Sequence, residues 1–196
     1  MLDTNLILIG PLAAGKTTVG KMLGEALNLP VIELDTLRWN YYAEIGYDSE
    51  RAEQLQREGG IKARSAYWKP FEIYTVERIL LDYPTGYVLS FGAGNSVYDD
   101  PSQFERVKKA LIPYPYVILL LPSPDIQKSI YILSERFEAL VPDCPAEVLK
   151  QVTELNHFFI THPANQHLAT HIFYTADKSP TETSNEILLA LNLKPP

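Results

Sequence analysis

The stretch Gly10-Pro-Leu-Ala-Ala-Gly-Lys-Thr17 (GPLAAGKT) follows the apolar run Leu6-Ile-Leu-Ile9 and precedes a segment with the spacing of an amphipathic helix. It matches the pattern of a glycine, four residues and Gly-Lys-Thr at every position. Glycines let the backbone approach a ligand closely, and the N-terminus of the following helix presents unpaired N–H groups to an anion. The stretch therefore predicts a phosphate-binding loop at a strand-to-helix junction.

The side chains of this loop predict how a nucleotide is held. Lys16 can reach the outer phosphates of ATP, and the Thr17 hydroxyl can join the coordination shell of Mg²⁺. We expect the whole loop and the residue after it to contact the nucleotide, namely Gly10, Pro11, Leu12, Ala13, Ala14, Gly15, Lys16, Thr17 and Thr18. ATP and Mg²⁺ are the cofactors that this pattern indicates.

The segments around the loop predict a sheet of five strands. Apolar runs lie at residues 6–9, 31–34, 87–91, 116–121 and 172–175. Segments with helical spacing lie at 17–28, 70–82, 145–160 and about 183–192, and a further helix is predicted to begin near residue 101. Continuous apolar strands that alternate with helices are typical of a parallel sheet covered on both faces. We therefore expect a single doubly wound α/β domain over residues 1–196.

The composition narrows the class of protein. A net charge of -7 and a pI near 5.1 argue against nucleic acid, because binding it over a broad surface needs many Lys and Arg side chains. The apolar runs are too short for a membrane helix, and the N-terminus has no signal-peptide pattern. The single cysteine, Cys144, fits a reducing compartment. We expect a cytoplasmic monomer or weak homodimer that acts on a small-molecule acceptor.

Two carboxylates, Glu33 and Asp35, follow the second apolar run. Alternate positions at the carboxyl end of a strand can direct one acid toward the phosphates and the other toward a neighbouring ligand. Asp35 can equally cap the helix that follows. Beside a phosphate loop, the pattern favours a functional pair.

The third apolar run ends in small residues, Ser90-Phe-Gly-Ala-Gly-Asn-Ser96. Small residues at the end of a strand in an α/β sheet let a ligand approach backbone N–H groups. A plain turn before the helix near Pro101 would look similar. Because this turn is expected to lie across from the phosphate loop, we predict a role in binding.

In chain order, these segments resemble the shikimate kinase family of small P-loop phosphotransferases. GPLAAGKTTVGKML is similar to that family's phosphate loop and helix, and Glu33-Leu-Asp35 to its paired aspartates. Trp68-Lys-Pro-Phe-Glu72 resembles its Phe-Arg-x-x-Glu segment, and Phe91-Gly-Ala-Gly94 its Thr-Gly-Gly-Gly loop. The resemblance implies a three-layer P-loop kinase fold with a five-stranded parallel sheet flanked by helices. It also implies a substrate-binding helical insertion at about 36–70 and a lid at about 136–147.

The same resemblance implies a role for each matching residue. Glu33 would help to hold Mg²⁺, and Asp35 would orient or deprotonate the attacking hydroxyl. Lys69 would grip the acceptor with support from Glu72. The turn made of Gly92, Ala93 and Gly94 would line the acceptor pocket.

Arg136 is the only arginine after Arg106. Phosphoryl transfer gains from cations around the transferring group, so we predict that Arg136 is catalytic. An arginine at a helix end would also stabilise the carbonyl end of that helix. The sequence leaves open whether Arg136 matches the family's lid arginine or its adenine-stacking arginine.

The acceptor site departs from the family pattern. Lys69 replaces an arginine whose planar fork suits a carboxylate, Ala93 replaces a glycine, and Leu155 aligns with the family's second substrate arginine. We therefore predict an ATP-dependent kinase that acts on a hydroxyl of a small molecule through an altered acceptor site. A nucleoside or nucleotide kinase, whose base would stack within the aromatic-rich segment 38–68, is one alternative. A nucleotide-binding module without kinase activity is the other.

Overall fold

The computed structural model describes residues 2–194 and contains one parallel sheet. Its strands are β1 (Leu6–Ile9), β2 (Val31–Glu33), β3 (Val88–Ser90), β4 (Tyr116–Leu121) and β5 (His171–Tyr174). They lie side by side in the order β2-β3-β1-β4-β5, and every neighbouring pair is parallel. All four residues of β1 are buried, so the strand before the phosphate loop lies in the centre of the core.

Helices connect successive strands. The helices are α1 (Lys16–Leu27), α2 (Leu34–Glu44), α3 (Ser49–Asp82), α4 (Pro101–Leu111), α5 (Ile126–Leu140), α6 (Ala146–Thr161), α7 (Pro163–Leu168) and α8 (Pro180–Ala190). A short 3-10 turn occupies Ala93–Ser96. Helices and a five-stranded parallel sheet confirm the predicted α/β class.

The predicted strands are confirmed to within one residue at either end, whereas two predicted helix starts are wrong. The helix predicted at 70–82 begins at Ser49 and continues through Pro70, with one break at Gly60. The helix predicted at about 183–192 begins at Pro180. The Ser179 hydroxyl accepts a hydrogen bond from the Glu182 N–H, and the Glu182 carboxylate accepts one from the Ser179 N–H. This capping box starts the helix before its first apolar residue.

The segment between β2 and β3 forms a helical insertion made of α2 and the first half of α3. Gly60 breaks α3 with φ 67° and ψ −163°, a conformation that glycine adopts readily. Tyr42 and Phe71 pack at 5.4 Å between ring centroids, and Tyr47 and Phe71 at 5.3 Å. Aromatic residues of α2 and of the loop after it therefore pack on Phe71 in the second half of α3.

None of the helices between residues 2 and 194 combines the length and the apolar character that crossing a membrane requires.

The turn after β1 depends on a close approach between two backbones. Gly10 has φ 139°, and a Cβ atom placed on it would collide with the carbonyl oxygen of Leu120 on β4. Gly15 also has a positive φ, 93°, but a Cβ atom there would meet no atom within 4 Å. Gly10 is therefore required both by its backbone conformation and by a neighbouring backbone atom, whereas Gly15 is required by its backbone conformation alone.

This difference predicts unequal effects of the same substitution. We expect Gly15→Ala to lower the free energy of unfolding by about 1–2 kcal/mol, the cost of left-handed backbone for alanine. Gly10→Ala adds a backbone clash to the strain, so we expect a loss of about 3 kcal/mol or more. Urea denaturation of both variants measures the difference, and equal losses would contradict the close-approach argument.

Candidate active site

A cavity of about 740 Å³ opens at the carboxyl edge of the sheet. Five segments meet there: the phosphate loop with the start of α1, the start of α2, the end of β3, the end of α5, and the chain between β5 and α8. The lining residues are Leu12, Ala13, Ala14, Gly15, Lys16, Thr17, Thr18, Val19, Asp35, Ser90, Phe91, Ala93, Arg136, Ala139, Leu140, Thr175, Lys178, Pro180 and Thr183. Residues 12–18 of the predicted nucleotide loop, Asp35, Ala93 and Arg136 therefore share one cavity, whereas Gly10 and Pro11 do not line it.

The phosphate loop has the shape of an anion-binding nest. Ala13 and Gly15 both have left-handed backbone, with φ 61° and 93°, and Gly15 directly precedes the first turn of α1. Alternation of this kind turns successive N–H groups toward one side, and a helix N-terminus adds its positive dipole end. The loop therefore fits the phosphates of a nucleotide by its own geometry.

Lys16 lies beneath this loop. Its Nζ donates hydrogen bonds to the carbonyl oxygens of Gly10 at 2.9 Å and Pro11 at 2.8 Å. Burial lowers the pKa of Lys16 to about 8, although the nearby charge of Asp35 acts to raise it. A phosphate beside Nζ would favour the ammonium form, so binding of an anion and protonation of Lys16 support each other.

Asp35 belongs to the first turn of α2, not to a strand. β2 ends at Glu33, and Thr36 donates its hydroxyl to the Glu33 carbonyl at 2.7 Å. The prediction that Glu33 and Asp35 occupy alternate strand positions is therefore wrong, because buried Leu34 already begins the helix. A Cβ atom on Gly92 would lie 2.7 Å from Asp35 Oδ1, so the missing side chain there makes room for this carboxylate.

Glu33 does not line the cavity. Its carboxylate forms an ion pair with Lys21 of α1 at 2.9 Å. This position gives no support to the expected Mg²⁺ contact of Glu33. Thr17 and Ser90 both line the cavity, and Ser90 begins the stretch of small residues for which a role in binding was predicted.

The predicted pair of Lys69 and Glu72 forms a buried ion pair. Lys69 Nζ donates to Glu72 Oε2 at 2.6 Å and to the Gly94 carbonyl at 2.9 Å, and the two side chains are 17% and 11% exposed. A Cβ atom on Gly94 would collide with the Glu72 carboxylate. Two of the three N–H donors of Lys69 are thus used to attach the turn after β3 to α3. Its grip on an acceptor stays a prediction.

Arg136 is fixed to the end of the sheet. Its Nη1 donates to Thr175 Oγ1 at 2.9 Å and its Nη2 donates to the Thr175 carbonyl at 3.1 Å. Burial lowers the pKa of Arg136 from its ordinary value. The guanidinium is held by the chain that follows β5, beside Lys178 on the cavity wall. Whether Arg136 is a lid arginine or an adenine-stacking arginine stays a prediction.

Asn156 of α6 contacts the phosphate loop, and the sequence analysis missed it. The Leu12 N–H donates to Asn156 Oδ1 at 2.9 Å, and Asn156 Nδ2 donates to the Leu12 carbonyl at 3.3 Å. The side chain is 1% exposed. An amide on the buried face of an amphipathic helix, four residues after Val152, was the signal that could have found it.

Two departures from the family pattern lie in one apolar cluster. Ala93 packs in this cluster with Val97 and Phe159, and Leu155 packs against its edge. The methyl group of Ala93 and the isobutyl group of Leu155 therefore contribute to the same apolar surface next to the turn after β3. The two substitutions are spatially related rather than independent.

Comparisons with known proteins agree with this geometry. The family model for shikimate kinase matches residues 12–192. A shikimate kinase of Alteromonas mediterranea is 26% identical over 191 residues, which cover 96% of this chain and 97% of that protein.

Solved structures share the fold. The shikimate kinase of Acinetobacter baumannii in complex with shikimate superposes with a TM-score of 0.62 and 21% identity, over 96% of this chain and 93% of that one. A gluconokinase of Sinorhizobium meliloti 1021 gives a TM-score of 0.58 and 18% identity, over 98% and 94%. At such identities these structures support the predicted P-loop kinase fold.

The clamp between Asn156 and Leu12 predicts a specific effect on nucleotide affinity. We expect Asn156→Ala to raise the Kd for MgATP about tenfold, because it removes the side chain that holds both backbone groups of Leu12 in place. Isothermal titration calorimetry measures this change.

Asn165→Ala is the matched control. Asn165 is also buried, and its Nδ2 donates to the Phe159 carbonyl at 2.9 Å rather than to a backbone group of the loop. We expect this variant to lose stability while keeping its affinity for MgATP. If both variants weakened MgATP binding equally, Asn156 would have no specific role in shaping the loop.

Proposed function

This chain belongs to the shikimate kinase family and is an ATP-dependent small-molecule kinase, and we propose that it phosphorylates a hydroxyl group through an altered acceptor site. The observation that carries the proposal is the apolar cluster that joins Ala93 and Leu155 beside the turn after β3. A family arginine would place charge there, whereas this chain places hydrocarbon. The acceptor is therefore expected to differ from shikimate on this side.

The donor half of the site, meaning the residues that would hold ATP and Mg²⁺, supports the kinase chemistry. The N–H groups at the start of α1 and the ammonium of Lys16 offset the negative charge of the phosphates. Thr17 would offer its hydroxyl to Mg²⁺, and Ser90 lies on the same cavity wall. When bound, Mg²⁺ neutralises phosphate charge.

Asp35 is the group proposed to act on the acceptor. Its carboxylate lies at the cavity beside Gly92, and its negative charge acts to raise the pKa of Lys16. Asp35 would accept a hydrogen bond from the attacking hydroxyl, orient it toward the phosphate, and receive its proton. Arg38 Nη1 donates a hydrogen bond to Asp35 Oδ1 at 3.3 Å and so restricts the orientation of this carboxylate.

Arg136 is proposed to stabilise charge on the nucleotide side. Its guanidinium lines the cavity that contains the phosphate loop, and Thr175 fixes its orientation through two hydrogen bonds. A preorganised cation costs little reorganisation when charge develops during phosphoryl transfer. This supports a role in positioning the phosphates rather than in lid closure.

The nucleoside or nucleotide kinase is the second candidate, and the acceptor panel below tests it. Tyr42, Tyr47, Tyr67 and Phe71 pack on one another, whereas Trp39 is 44% exposed. Membership of a kinase family replaces the hypothesis of a nucleotide-binding module without activity.

Replacement of Lys16 tests the donor half. We expect Lys16→Ala to lower kcat for phosphate transfer about a hundredfold or more, because the cation that faces the phosphates is lost. Lys21→Ala is the matched control, since Lys21 lies on the same helix but pairs with Glu33 outside the cavity. A coupled spectrophotometric assay of ADP formation measures kcat for both variants. Unchanged transfer in Lys16→Ala would refute the mechanism.

A panel of acceptors tests the altered site. It contains shikimate, polyhydroxy acids, sugars, nucleosides and nucleoside monophosphates. We expect the best acceptor of the panel to exceed shikimate in kcat/KM by about tenfold or more, a difference of about 1.4 kcal/mol. If shikimate is the best substrate, the proposed alteration of the acceptor site is wrong.

A further inference from the structure

A second cavity, of about 540 Å³, is lined by α2, by the loop after it and by both halves of α3. Within the part of the chain that the structure describes, it shares no lining residue with the cavity that contains the phosphate loop and Asp35. None of the predicted site residues lines it. Its volume lies in the range of pockets that hold small organic ligands. The second cavity is therefore a separate place where a ligand can bind.

Each half of α3 contributes one face to the second cavity. Residues three and four positions apart share a face of a helix. Before the break at Gly60, the lining residues recur at this spacing: Ser49, Ala52, Glu53, Gln56 and Arg57. After the break, Arg64 and Trp68 lie four positions apart and line the same cavity. A ligand in the cavity would thus contact α3 on both sides of the break.

Aromatic rings form the opposite part of the wall. Both tryptophans of the chain, Trp39 and Trp68, line the cavity, and their ring centroids are 6.2 Å apart at an interplanar angle of 78°. Tyr47 also lines it, with its centroid 5.4 Å from that of Trp39. Trp39 is exposed, so part of its indole ring is open to a ligand. Exposed aromatic rings stack planar heterocycles, because every such heterocycle has a π face.

Gln56 adds an unpaired polar group to the wall. Between residues 2 and 194, its buried Oε1 atom has no hydrogen-bond partner. Buried polar atoms are normally paired, so this oxygen indicates a polar ligand. A primary amide carries an acceptor oxygen beside an NH₂ donor. This pair matches the edge of a nucleobase that has an amino group next to a ring nitrogen.

The charged residues of the wall are paired or stacked. Glu53 forms an ion pair with Arg57 at 3.6 Å. The guanidinium carbon of Arg64 lies 4.6 Å from the centroid of the Trp68 ring. A guanidinium plane stacks on aromatic rings and so extends the flat surface that they form. The wall therefore offers flat surfaces and one amide to a ligand.

We propose that the second cavity binds a nucleobase, free or in a nucleoside, at a site separate from the active site. The base stacks on the exposed ring of Trp39, and its amino group and neighbouring ring nitrogen pair with Oε1 and Nε2 of Gln56. The bound base contacts both halves of α3 and holds them in one arrangement. It is not the phosphate acceptor, because Asp35 lines the other cavity.

Tryptophan emission tests this site directly, because both tryptophans of the chain line the cavity. The full chain is titrated with adenosine, purine riboside and ribose. Purine riboside lacks the amino group that would pair with Gln56, and ribose lacks the base. We expect a saturable change in emission with adenosine, about fivefold weaker binding of purine riboside, and no saturable change with ribose.

Replacement of Gln56 tests the pairing. We expect Gln56→Leu to weaken adenosine binding about fivefold, because the amide is lost, and to bind adenosine and purine riboside equally. Gln54→Leu is the matched control, since Gln54 lies on the same helix and bonds with Arg51 and Glu58 instead of lining the cavity. We expect it to change adenosine binding by less than about twofold. Thermal melts of both variants separate loss of binding from loss of folding.

Each outcome decides the proposal. It is overturned by no emission change with adenosine up to millimolar concentrations, by equal binding of ribose, by equal binding of purine riboside to the unaltered chain, or by unchanged adenosine affinity in Gln56→Leu. Phosphate transfer from ATP to adenosine would also overturn it, because the nucleoside would then be the acceptor of the second candidate function. Lys16→Ala is expected to keep the adenosine titration while losing phosphate transfer, so failure of the kinase mechanism and failure of this site are distinguishable.

Discussion

The backbone of Gly10 lies so close to the carbonyl of Leu120 that no side chain fits between them, and the active site depends on this approach. It lets the chain turn sharply at the end of the central strand and directs the N-terminus of α1 toward the cavity. Lys16 fills the space beneath the turn, and Asn156 holds the loop from the opposite side through Leu12. The phosphate loop is thus restricted by β4, by its own lysine and by α6.

The residues around the turn after β3, where the acceptor is expected to bind, are held by an ion pair and by apolar packing. Lys69 and Glu72 form an ion pair that attaches the turn after β3 to α3, and burial makes such a pair costly to break once formed. Ala93 and Leu155 add hydrocarbon to the neighbouring wall. Near this turn, the positive charge of Lys69 is paired within the protein, and Leu155 carries no charge at all. Arg38 and Arg64 carry positive charge in the insertion.

The predictions from sequence succeeded where neighbours in the chain decide the structure. The strands ended within a residue of their predicted bounds, because apolar runs bury themselves wherever the sheet lies. The alternation argument for Glu33 and Asp35 failed, because buried Leu34 started a helix one residue after Glu33 and turned the two acids to different surroundings. The start of α3 was missed because its first half is mostly polar and lacks a regular apolar stripe.

The sequence by itself determined the phosphate loop, the α/β class and the order of the strands along the chain, since each depends on residues close together in the chain. The tertiary structure alone decided that Asn156 clamps Leu12 from 144 residues away, that Lys69 is internally paired, and that Arg38 and Arg64 share one indole ring. The physical reason is that a side chain's partner depends on how helices pack against the sheet. Hydrogen bonds and ion pairs between distant segments leave no regular spacing in the sequence that forms them.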